Sequence, residues 1–91
     1  MEMMRMMKKL EAAGDIDVRS TKYGYVVTIN DFDGFDDDWN EVDREFVLPD
    51  LLDKFLDMLA SEAYEIAEDG LCKVYRFEDF YVRVEYESYD I

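Results

Sequence analysis

Apolar residues recur at helical spacing over the first dozen positions. Met4, Met7 and Leu10, with Met3 beside them, share one face, and Ala12-Ala13-Gly14 supplies helix formers followed by a glycine able to end a helix at positive φ. The spacing predicts a first helix over residues 2–13. The period then changes to two. Asp15-Ile16-Asp17-Val18-Arg19 and Tyr23-Gly24-Tyr25-Val26-Val27-Thr28-Ile29 alternate about Ser20-Thr21-Lys22, which predicts a hairpin with Tyr25, Val27 and Ile29 toward the core and Val26 and Thr28 on the other side.

Residues 31–43 hold seven acids, no base and no clear period, with Gly34 as the flexible joint, and read as a long acidic loop. Glu45-Phe46-Val47-Leu48 is expected to form a short third strand, and Pro49 suits the first turn of a helix, where its missing N–H costs nothing. From there Leu52, Phe55, Leu56, Leu59, Ala63, Ile66 and Ala67 keep the i, i+3, i+4, i+7 rule, predicting a second helix over residues 49–69 ended by Gly70. Asp50, Asp53, Asp57, Ser61, Glu65 and Glu68 fall on its opposite side. Residues 71–77 and 80–86 form a second expected hairpin turning at Glu78-Asp79. In its last strand Phe80, Val82, Val84 and Tyr86 face one way and Tyr81, Arg83, Glu85 and Glu87 the other.

The predicted order is α-β-β-β-α-β-β. It describes an α+β, two-layer single domain over residues 1–91, with an antiparallel sheet of four to five strands carrying two helices on one face.

Charge changes the picture. The chain carries 24 Asp and Glu against 10 Lys and Arg, a formal −14. Residues 1–30 sum to +1, from four acids and five bases, whereas residues 31–91 sum to −15, from 20 acids and five bases. With 49% apolar and 15% aromatic residues the acidic part has too much sticky surface for a disordered tail, so it is expected to fold. A lopsided field of this size costs self-repulsion and calls for a solvation role or a partner of opposite sign. Adaptation to high salt would acidify the whole surface, so the neutral first third favours a directional partner.

Candidate chemistry is narrow. There is no His, which removes the usual Ser-His and Cys-His nucleophile pairs, the group that titrates near neutrality and the common zinc set. The single Cys72 excludes an internal disulfide and reads as a strand residue with no base to activate it. No signal-like leader and no apolar run long enough to span a membrane is present, so a cytoplasmic location is expected. An EF-hand beginning at Asp31 would need acid at position five, glycine at six and glutamate at twelve; Phe35, Asp36 and Val42 stand there. Neither Lys54 nor Lys73 completes the acid-x-lysine pattern of a metal-dependent nuclease. No cofactor is expected.

What remains is carboxylates punctuated by aromatics. Asp53 and Asp57 on a helix stand about 6 Å apart along its axis, within the range of successive phosphates on one strand. Such a surface can occupy the Lys and Arg of a nucleic-acid-binding groove, with aromatic anchors among the charges.

A folded, His-free, strongly acidic α+β domain of this size, with runs such as Asp36-Asp37-Asp38 and Glu85-Tyr86-Glu87, resembles the nucleic-acid mimics made by phages and mobile elements. Anti-CRISPR proteins, anti-restriction proteins and uracil-DNA glycosylase inhibitors are the familiar groups. The resemblance is carried by composition and size over residues 31–91, not by an aligned motif. It implies a non-enzymatic inhibitor of a basic nucleic-acid-binding protein, such as a host-defence nuclease or CRISPR effector, acting in host-defence evasion. Such a protein would not itself bind nucleic acid or membrane, and would be a monomer or dimer. The expected partner-binding residues are Asp31, Asp33, Phe35, Asp36, Asp37, Asp38, Trp39, Glu41, Asp43, Asp53, Asp57, Glu85 and Glu87. Two alternatives stay open: an immunity protein or antitoxin neutralising a basic toxin nuclease, and a small divalent-metal-binding domain.

Overall fold

A computed structural model describes residues 2–30, 33–35, 41–43, 46–70 and 72–86, with the backbone alone described for 33–35 and 41–43. In chain order the elements are α1 (Glu2–Ala13), β1 (Ile16–Ser20), β2 (Gly24–Ile29), β3 (Asp33–Phe35), β4 (Glu41–Asp43), α2 (Pro49–Glu62), β5 (Glu65–Asp69), β6 (Cys72–Arg76) and β7 (Tyr81–Tyr86). The fold is α+β. Five strands form one sheet in the order β1-β2-β7-β6-β5, and β3 and β4 pair as a separate two-stranded ladder.

Both hairpins arise where the alternation predicts them. Thr21 N–H donates to Gly24 C=O at 2.8 Å and Phe77 N–H donates to Phe80 C=O at 2.8 Å, closing two-residue turns at Lys22-Tyr23 and Glu78-Asp79. The two hairpins then join through β2 and β7, which run parallel, Gly24 opposite Tyr81 and Ile29 opposite Tyr86. The sheet is therefore mixed, where the sequence suggested an antiparallel one. The parallel pair needs a long crossover, and α2 lies within it.

Three further expectations are corrected. Helix α2 stops at Glu62: Ala63 adopts extended backbone, with φ −69° and ψ 136°. Residues 65–69 are strand β5, paired antiparallel with β6 so that Glu65 faces Arg76 and Glu68 faces Lys73. Ile66 and Ala67 continue the helical spacing of α2, but pairing with β6 bonds the backbone of Glu65, Ala67 and Asp69 and sets opposite charges across the ladder, and this tertiary pairing overrides local spacing. Gly70, at φ 62°, consequently turns a hairpin and does not end a helix. Within the expected acidic loop, Asp33–Phe35 and Glu41–Asp43 are short strands. Finally, Phe46–Leu48 do not form a strand, since the N–H groups of Val47 and Leu48 are taken by a side chain, the Asp15 carboxylate.

Both helices pack on one face of the sheet. Met3, Met6, Met7 and Leu10 of α1 and Leu52, Phe55 and Leu59 of α2 meet Ile16, Val27, Ile29, Tyr75, Val82 and Val84. Phe55 is fully buried at the centre. Truncating it to alanine is expected to cost about 3–5 kcal/mol, read as a shift of the urea midpoint at constant slope. Tyr25, Val27 and Ile29 line the core side as expected. Val26, on the opposite side, is nevertheless buried, flanked in the register by Arg19 on β1 and Arg83 on β7.

Asp15 connects the layers. Its side chain is fully buried, Oδ1 accepting from Val47 N–H at 2.8 Å and Oδ2 from Leu48 N–H at 2.7 Å. Leu48 is the N-cap of α2 and offers no capping side chain of its own. A carboxylate from the α1–β1 junction thus does the work of a cap, placed where the helix dipole favours negative charge. Asn30 braces the same junction: its N–H donates to Asp15 C=O at 3.0 Å and its Nδ2 donates to Gly14 C=O at 2.9 Å.

Candidate partner-binding surface

The outer side of α2 presents Asp50, Asp53 and Asp57, all exposed. Their i, i+3, i+7 spacing aligns them as one stripe, roughly 10 Å from end to end. The inward face is spent on Leu52, Phe55 and Leu59, so burial of the apolar stripe forces the acids into solvent. None of the three makes an ion pair among the described residues. Lys54 is exposed on the same helix.

The neighbouring helix has the opposite sign. On α1, Arg5, Lys8 and Lys9 are exposed while Met3, Met6 and Met7 are buried against α2 and the sheet. The helical layer is thereby polarised, basic over α1 and acidic over α2.

Glu85 stands apart from this stripe. It follows the core residue Val84 in β7, so alternation puts its side chain on the face that carries no helix. There Arg83 Nε donates to Glu85 Oε1 at 2.9 Å, and Arg83 Nη2 lies 3.5 Å from Cys72 Sγ. The contact with Cys72, followed by that with Glu85, raises the pKa of the Arg83 guanidinium above its ordinary value. Glu85 is therefore a half-buried, paired carboxylate. It does not share a surface with Asp53 and Asp57.

Of the other expected partner-binding residues, Asp33 and Phe35 are in β3 and Glu41 and Asp43 in β4. Their register sets Asp33 opposite Asp43 and Phe35 opposite Glu41. Asp31, Asp36, Asp37, Asp38, Trp39 and Glu87 lie outside the described residues. Conversely, strand β5 adds exposed Glu65, Glu68 and Asp69, acids that helical spacing assigns to α2. The Gly70 that follows them is the only local signal for a turn there.

Nothing in the described residues assembles a reaction centre of familiar type. A hollow of about 400 Å³ lies between the two hairpin turns and α1 and is lined by Met4, Thr21, Tyr23, Tyr25, Asp79 and Phe80 among others. Tyr25 meets Phe80 edge-on at 6.1 Å, and Phe80 stacks on Phe77 at 4.8 Å, so its floor is a packed aromatic row. No group of three or more acids or cysteines among the described residues is arranged to hold a metal ion. No helix among them is long and apolar enough to cross a membrane. Comparison of the chain with protein-family models, curated proteins and solved structures returns no match.

Proposed function

We propose that this protein is a non-enzymatic, cytoplasmic inhibitor that presents carboxylates in place of phosphates to the basic groove of a nucleic-acid-binding protein, a host-defence nuclease or CRISPR effector being the class in view. The observation that carries this reading is the exposed Asp50, Asp53 and Asp57 stripe on the outer face of α2, without an ion pair among the described residues, beside a basic α1, in a chain whose −15 lies after residue 30. Carboxylates at these intervals compete for the same lysines and arginines that neutralise a nucleic-acid strand, and release of the partner's screening ions makes the contact salt-dependent. Glu85, held by Arg83 on the far side, plays no part in that surface.

The test is displacement of a labelled oligonucleotide from a panel of basic nucleic-acid-binding proteins. Displacement is expected at low salt, weakening by an order of magnitude or more between about 50 and 200 mM salt. Asp53→Asn with Asp57→Asn should weaken it about tenfold. The same pair relieves like-charge repulsion at i, i+4, so stability should hold or rise by about 0.2–0.5 kcal/mol. Failure to displace from any member of the panel, or displacement indifferent to salt, removes the reading.

A further inference from the structure

The two edges of the five-stranded sheet are finished differently. At β1, Thr21 bonds to Gly24 and Asn30 bonds to Asp15, both in the β1–β2 register, so the N–H and C=O of Ile16, Val18 and Ser20 face outward. Glu11 of α1 reaches over this edge, its Oε2 accepting from Val18 N–H at 3.1 Å. A helix side chain thus closes the middle of that edge.

Among the described residues the β5 edge has no such closure. The Phe77 to Phe80 bond lies in the β6–β7 register, so alternation turns Lys73 and Tyr75 toward β7 and Cys72, Val74 and Arg76 toward β5. Their partners Asp69, Ala67 and Glu65 bond back to β6. The N–H and C=O of Ile66 and Glu68 therefore point outward and take no protein partner among the described residues. The side chains around them are open too: Tyr64 is 70% and Ile66 45% exposed.

We infer that β5 is a docking edge that accepts an extended, basic segment of a partner protein as a sixth strand. Main-chain pairing to Ile66 and Glu68 supplies the attachment, and side-chain charge supplies the choice of partner. Strand β5 carries Glu65, Glu68 and Asp69 and no base. Glu65 and Glu68 meet Arg76 and Lys73 only at 3.7 and 3.9 Å in exposed pairs, which leave their charge largely available, and Asp69 has no ion pair among the described residues. Lysine or arginine at alternate positions of an incoming strand would face Glu65 and Asp69, which alternation sets on one side of the sheet, while an apolar residue between them would cover Ile66 on the other side, beside Glu68. A second copy of this chain, with the same acidic strand and a formal −14, is the poorer partner on charge: paired antiparallel about Ala67, two β5 strands would set Glu65 opposite Asp69, acid against acid.

The inference does not depend on the α2 surface, and its test separates the two. The probe is a fluorescent Lys-Val-Lys-Thr-Lys-Val-Lys peptide, with a version N-methylated at alternate amides and a version bearing Glu for Lys as controls. The basic peptide should slow hydrogen exchange at the Ile66 and Glu68 amides, and both control peptides should bind at least tenfold more weakly. Ile66→Pro removes an outward N–H without touching the β6 ladder, as an edge position permits, and should weaken the peptide tenfold or more. Glu65→Gln with Asp69→Lys leaves the backbone alone and should weaken it comparably, with thermal midpoints confirming that both variants fold. Absence of binding, equal binding of the N-methylated peptide, or protection confined to α2 would each overturn the inference, the last while leaving the α2 reading intact. A dimer in sedimentation that Ile66→Pro dissolves would overturn it in favour of a second copy.

Discussion

Asp15→Ala is expected to destabilise the fold by about 2–4 kcal/mol, because it leaves two part-buried N–H groups, those of Val47 and Leu48, without their charged acceptor. Against a total stability of about 5–15 kcal/mol for a domain of this kind, that is a large share. The loss is local in origin and wide in reach: the carboxylate holds the start of α2 against the α1–β1 junction, and α2 contributes the central Phe55. Asp15→Asn should recover part of it, since one amide oxygen can still accept, while the amide NH₂ faces an N–H it cannot satisfy. Urea unfolding of the three proteins checks the order wild type, Asn, Ala. An alanine variant within about 0.5 kcal/mol of wild type, the range of ordinary surface changes, would falsify the capping role.

Gly24→Ala should cost about 3 kcal/mol or more, for a different reason. A methyl group at position 24 would overlap the carbonyl of Tyr81, which is backbone and cannot swing aside. Around it Thr21 Oγ1 donates to Gly24 C=O at 3.1 Å, accepts from Gly24 N–H at 3.1 Å and accepts from the Tyr81 hydroxyl at 2.9 Å. Tyr81 N–H in turn donates to Tyr23 C=O at 3.3 Å. Relief of the overlap must part β2 from β7, the one parallel pair of the sheet. Gly70→Ala is the control: its added methyl meets nothing within 4 Å, so only the positive φ of 62° opposes it, a penalty of roughly 1 kcal/mol. Thermal melts should rank Gly24→Ala well below Gly70→Ala. The reverse order would mean that close approach of β2 and β7 does not govern position 24.

The features legible from sequence were the ones made by near neighbours. Helix α1 spans the residues its methionine spacing predicts, and both hairpins turn where alternation breaks. Strand β5 was hidden because Ile66 and Ala67 extend the apolar period of α2, and only the partner β6 decides between the two periods. The parallel pairing of β2 with β7 and the reach of Asp15 to Leu48 are likewise agreements between distant parts of the chain, which no local window contains. The same division runs through the candidate surface. Asp53 and Asp57 stand exposed on α2 as their spacing implies, whereas the capture of Glu85 by Arg83 needed β7 to be placed in its sheet.

The parallel pair has a consequence for the order in which the protein can take shape. The first hairpin, with α1 across it, can form early during synthesis, yet its inner strand β2 waits for β7, about 50 residues later, to complete its hydrogen bonds. Until then Val27 and Ile29 lack half of their sheet neighbours, and the nascent chain exposes an unfinished strand. Contacts so far apart in sequence make for slow folding, since loop closure must be met before they can reward it. A ribosome stalled after α2 should hold a chain that resists compaction, and release through β7 should fold it in one step.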